Sequence, residues 1–140
     1  MSLDQIPLFS MLRGRLGYLS EQQKVLAQNI ANADTARYVP QDLKPFGFDA
    51  HVQMAQSTPS TMAVTQAGHM APPSQKSGLG AQWKAKKTPD SETTLNGNSV
   101  VLEEEMIKMS DARMNYDAAI SFYQKSLNLL RMASRAPGRG

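Results

Sequence analysis

Residues 98–134 read NSVVLEEEMIKMSDARMNYDAAISFYQKSLNLLRMAS, and this stretch decides the fold. Leu102, Met106, Met109, Arg113, Tyr116, Ile120, Tyr123, Leu127 and Leu130 recur in alternating steps of four and three residues. That is the period of a helix burying one seam against another helix, with Arg113 as its one polar break. Asn98 or Ser99 can supply the N-cap. Glu103, Glu104 and Glu105 follow in the first turns, and Arg131 and Arg135 stand at the far end. Acids at the positive end of a helix and bases at the negative end are both favourable. The chain therefore predicts a long C-terminal helix.

The N-terminal region holds a matching seam. Phe9, Leu12, Leu16, Leu19, Gln23, Leu26, Ile30 and Ala33 again alternate in steps of three and four, with Gln23 as the polar break. Pro7 fits only the first turn of a helix, so the helix should begin near it. Gly14 and Gly17 lie inside it, each costing roughly 1 kcal/mol relative to Ala. Such a helix is marginal alone and calls for a partner. Laid antiparallel, the seams bring Leu26 opposite Met109, Leu19 opposite Tyr116 and Leu12 opposite Tyr123. Gln23 then falls opposite Arg113, in one polar layer suited to fixing register.

Between the helices the composition changes. Most of the prolines and more than half of the glycines fall there, and Ser57-Thr58-Pro59-Ser60-Thr61 and Ala71-Pro72-Pro73-Ser74 break any regular element. Short strands are permitted around Met62–Thr65 and near Trp83. The expected fold is mainly α: two long terminal helices in an antiparallel, coiled-coil-like hairpin with an irregular Pro/Gly-rich middle. The expected divisions are 1–35 for the N-terminal helix, 36–97 for the middle, and 98–140 for the C-terminal helix and tail.

Composition excludes several functions. The 140 residues are enough for one ordinary domain. Apolar residues make up 41% and aromatics 6%, so any compact core is thin. Nine methionines suit an adaptable helix interface better than a rigid pocket. There is no cysteine, which removes disulfides, thiolate metal sites and thiol nucleophiles. The net charge of +3 comes from Lys76, Lys84, Lys86 and Lys87 in the middle and Arg131, Arg135 and Arg139 at the end. This is too sparse for a nucleic-acid-binding stripe. The N-terminus has no basic region followed by an apolar run of the Sec signal type, and no run reaches the length of a membrane-spanning helix. The expectation is a soluble chain, or one exported without a cleavable signal.

No catalytic constellation assembles. His51 and His69 lack acidic or cysteine companions at metal-ligand spacing. Gly78-Leu79-Gly80 lacks the third glycine and flanking elements of a phosphate loop. The three consecutive glutamates point in different directions and do not share a site. No enzyme, cofactor or metal is expected. The most distinctive segment is Leu26-Ala27-Gln28-Asn29-Ile30-Ala31-Asn32-Ala33-Asp34-Thr35. Asn29 and Asn32 are i, i+3 neighbours among small alanines, placed to bridge to an approaching backbone. The alternative is an ordinary helix end terminated by Asn.

Leu19 to Gln23, continued by Asn29-Ile30-Ala31-Asn32-Ala33-Asp34-Thr35-Ala36-Arg37-Tyr38, resembles the N-terminal signature of flagellar rod and hook axial proteins. Asn96 to Met106, with Tyr116, resembles the matching C-terminal end in the basal-body rod proteins, and favours the proximal rod among them. One departure is Ala36-Arg37, which stands where the pattern carries Pro-Gly, a pair suited to a tight turn. The resemblance implies a structural subunit of the proximal rod in the periplasm, exported by the flagellar type III apparatus and packing terminal helices into a torque-transmitting tube. Implied partners are copies of itself, other proximal rod proteins, a FliE-type adaptor and the membrane ring. The other reading is a cytoplasmic helical adaptor or export chaperone that binds partner helices.

Overall fold

The structure is a computed structural model and describes residues 6–47 and 83–135. Helix α1 spans Pro7–Ala31 and helix α2 spans Leu102–Ser134. Between them, strand β1 (Gln41–Leu43) pairs antiparallel with strand β2 (Ala85–Lys87). Gln41 stands opposite Lys87, and Leu43 opposite Ala85. Pro7 occupies the first turn of α1, as its missing N–H and fixed φ favour. The expected strand near Trp83 is β2; its partner β1 had no alternating pattern long enough to announce it. Met62–Thr65, both histidines, Lys76 and Gly78-Leu79-Gly80 lie outside the described residues.

The two helices pack antiparallel. Phe9 meets Tyr123 edge-on at 5.4 Å between ring centroids, Gln23 reaches Ala112, and Asn29 reaches Glu105. Residues advance along α1 as they retreat along α2, within about a turn of the sequence-derived register. On α1 the inward residues follow the expected seam closely, with Phe9, Leu19 and Leu26 buried and Leu12, Leu16, Gln23 and Ile30 half-buried.

On α2 only one line of the expected seam faces α1. Met109, Tyr116 and Tyr123 are half-buried. The second line is displaced by one residue: Glu105 and Ala112 are buried, and Ala119 and Ser126 half-buried, where the apolar pattern pointed to Met106, Arg113, Ile120 and Leu127. Met106 and Arg113 are exposed, as are Leu102 and Leu130, while Ile120 and Leu127 sit half-buried at the margin. The physical reason is size: alanine and serine let α1 come close, and bulk at those positions would hold it off. Gln23 accordingly meets no Arg113 layer; its Nε2 donates to the backbone carbonyl of Ala112 at 3.5 Å.

The sheet clasps α1 from another side. Tyr18, Leu19, Val25 and Leu43 form a buried cluster, with Phe46 and Trp83 packed on it. Trp83 lies close enough to α1 that a Cβ at Gly17 would stand 3.0 Å from its ring. Gly17 thus trades helix propensity for this close approach. The Arg15 guanidinium lies over the Phe46 ring at 5.4 Å and near that of Tyr18, closing the outer edge of the cluster.

Candidate functional site at the helix junction

The end of α1 and the start of α2 meet in a buried polar junction built around Asn29. Its side chain is fully enclosed. Nδ2 donates to Gln41 O at 2.8 Å and to Glu105 Oε2 at 2.7 Å. Oδ1 accepts from Gln41 N–H at 2.9 Å and from Tyr38 O–H at 3.2 Å. Both donors and both acceptor positions of the amide are used. One side chain therefore ties α1 to β1 and to α2 at once. The expected bridge from this segment to a second backbone exists, and Asn29 makes it. Asn32 instead closes its own helix, donating from Nδ2 to Gln28 O at 2.8 Å and accepting from Thr35 Oγ1.

Glu105 extends the network. Its carboxylate is 1% exposed, and a buried charge is tolerated only when paired and hydrogen-bonded. Oε1 accepts from Lys108 Nζ at 2.7 Å, one helical turn on. The same Nζ reaches Asp90 Oδ1 at 2.9 Å, and Asp90 Oδ2 accepts from Val101 N–H at 2.9 Å. Burial pulls Lys108 down, but its hydrogen bonds to Glu105 and Asp90, with their charges, push it well above the usual lysine range. Tyr38 is also raised, first by burial and then by the Glu105 charge.

The expected N-cap of α2 is corrected by this arrangement. The helix begins at Leu102 with Val101 at the cap and no side-chain cap bond of its own. Asp90, from the preceding loop, accepts from the N–H of the cap residue Val101 itself, and neither Asn98 nor Ser99 makes the expected cap bond into the first turn. Asn98 is engaged elsewhere: Nδ2 donates to Asn32 O at 3.0 Å and Thr35 O at 2.6 Å, while Oδ1 accepts from Val100 N–H. It thus adds a second bond to two carbonyls at and just beyond the end of α1, each of which already accepts a backbone N–H of the following turn.

The turn after α1 forms despite Ala36-Arg37. Tyr38 N–H closes onto Thr35 O at 3.2 Å, and Arg37 adopts φ 60°, the left-handed region where glycine is preferred. Arg37 N–H donates to Asn96 O and Ser99 N–H to Tyr38 O, lacing the two segments together. Gly97, at φ 81°, leaves the room that the Arg37 side chain occupies.

Sequence reasoning found Asn29 but missed Tyr38, Asp90, Glu105 and Lys108. Glu105 and Lys108 stand at i, i+3, a readable ion-pair spacing. The signal was hidden because glutamate in a first turn is already explained by the helix dipole.

The junction has the hydrogen-bond satisfaction of a structural lock, and the fold around it defines a helical-hairpin structural protein. Residues 12–38, which carry Asn29 and Tyr38, match the family described as flagella basal body rod protein. The chain is 31% identical over 134 residues to the flagellar basal body rod protein FlgB of Agrobacterium fabrum, covering 94% of this chain and 95% of that one. The chain belongs to the flagellar basal body rod protein family. It is a structural subunit of the basal-body rod, a class of protein that is not an enzyme class.

Proposed function

We propose that the chain builds the proximal part of the rod and carries torque through packed terminal helices. The observation that carries this reading is the Asn29–Glu105 junction. It unites the two terminal segments into one rigid end, while α2 keeps Leu102, Met106, Ile107, Met114, Phe122 and Met132 exposed. Apolar residues exposed along a helix in a single copy are suited to burial between subunits. Leu102, Met106, Arg113 and Leu130, all exposed in the single copy, are assigned to such contacts. The partners are copies of the chain, other proximal rod proteins, a FliE-type adaptor and the membrane ring, reached after passage through the flagellar export apparatus. In this reading residues 1–35 and 98–140 form the axial part and 36–97 the connecting part. Deletion of the gene, followed by motility assay and imaging of basal bodies, tests it. Non-motile cells whose rings lack a rod, restored by the intact gene, are expected. Normal rods and swimming would contradict it.

A further inference from the structure

Two outward faces of the molecule carry opposite charge. Around the sheet, Lys44, Lys84, Lys86 and Lys87 are all exposed; among the described residues there the one acid is Asp42, which stands opposite Lys86 in the strand pairing and whose Oδ1 accepts from Leu43 N–H. On the first half of α2, Glu103, Asp111 and Asp117 are exposed. At ~100° per residue they stand about 180°, 100° and 140° around the helix from Ala112, which faces α1. Arg113 is the one outward base beside them, since Lys108 is turned in to Glu105 and Asp90. The exposed Met106, Ile107 and Met114 lie among these acids and give the face apolar area as well as charge.

The two faces sit on different elements, because the sheet and α2 clasp α1 from different sides. Gly17 and Tyr18, under the sheet, lie about 120° and 140° around α1 from Gln23, which faces α2. We propose that copies of this chain pack laterally with the lysine-bearing sheet of one against the acidic outer face of α2 of the next. The proposal rests on the rod-subunit reading and adds the surfaces to it. A symmetric two-fold contact through either face would set like charges together. A head-to-tail contact sets unlike charges together, and head-to-tail contacts close into rings or continue as helices, as a tube of subunits requires. Complementary charge across such a contact fixes register and excludes wrong pairings.

The test uses the full chain and two charge-reversed variants, Lys84→Glu/Lys86→Glu/Lys87→Glu and Glu103→Lys/Asp111→Lys/Asp117→Lys. Sedimentation velocity follows self-association at low and high salt, with helical circular dichroism as the check on folding. Wild type should associate, and more weakly at high salt. Each variant alone should associate at least about tenfold more weakly, and an equimolar mixture should recover association, since each reversed face then meets its complement. If a triple variant does not fold, Lys86→Gln/Lys87→Gln should show the same loss in smaller degree. A wild type that stays monomeric throughout, variants that associate like wild type, or a mixture no better than its parts would overturn the proposal. In cells the two readings separate. Wild type that fails to restore rods to a deletion strain sinks the rod reading. Wild type and both reversed variants that all restore them sink only the charged contact.

Discussion

Asn29 Nδ2 lies 2.7 Å from the Glu105 carboxylate, with both side chains enclosed and 76 positions apart in the chain. This contact ties the segment that matches the rod family, residues 12–38, to the start of α2. Removing Asn29 leaves a buried carboxylate short of a donor and strands Gln41 N–H and O. Asn29→Ala should cost about 2–4 kcal/mol by urea denaturation followed at a helix band. Asn29→Asp should cost at least as much at neutral pH, because it sets a second carboxylate against Glu105 where a donor stood.

The charged part of the junction sets an alkaline limit. Lys108 is raised above the ordinary value of about 10.4, and Tyr38 and Tyr18 above about 10. For Tyr18 burial leads, with Asp42 adding to it and Arg15 opposing. A group whose folded value is raised contributes stability that is complete below its unfolded value and is lost as pH rises through the folded one. The urea midpoint should hold steady up to about pH 10 and fall above it. Lys108→Gln should lower the midpoint at neutral pH and flatten the alkaline fall.

Arg37 occupies a left-handed conformation that costs a side-chain-bearing residue about 1 kcal/mol. Arg37→Gly should therefore raise stability or leave it level, against the usual trend for glycine substitution. Gly97→Ala should do the reverse, since it adds strain at φ 81° and crowds Arg37. In thermal melts Gly97→Ala should fall below wild type and Arg37→Gly should not.

Trp83 is the single tryptophan and rests against Gly17. Gly17→Leu should push the indole off α1, costing about 1–3 kcal/mol and shifting its fluorescence to the red. Unchanged emission would show that the sheet does not sit on this face of α1.

Much of this fold was legible in the chain. The periodicity of Phe9 through Ile30 located the inward face of α1, and Pro7 located its start. The line Met109–Tyr116–Tyr123 on α2 was also legible. The line Glu105–Ala112–Ala119–Ser126 was not: close helix packing selects the small residues Ala112, Ala119 and Ser126 where an apolar-pattern reading selects large ones, and Glu105 is buried by its hydrogen bonds. Asn29 stood out through its polarity among alanines. Its partners did not, because a hydrogen-bonded buried glutamate and a capping one look alike in sequence. The roles of Asp90 and Asn98 depend on contacts made across long stretches of chain, which no local pattern encodes.

The displaced line gives a comparison of neighbours. Ala112 is 2% exposed beneath Gln23, whereas Arg113 is exposed. Ala112→Leu should destabilise the isolated chain by about 1–3 kcal/mol through overpacking. Arg113→Ala should stay within about 0.5 kcal/mol of wild type. Equal effects at the two positions would contradict the observed face of α2.

The central claim is that α1 and α2 of one copy pair with each other in this register within the working rod. The chain contains no cysteine, so Gln23→Cys with Ala112→Cys introduces the only thiols. A short bismaleimide applied to basal bodies from motile cells carrying this double variant tests the claim directly. An internally linked species of single-subunit mass, absent from either single variant, is the predicted result. Linkage only between subunits, or none, would contradict it.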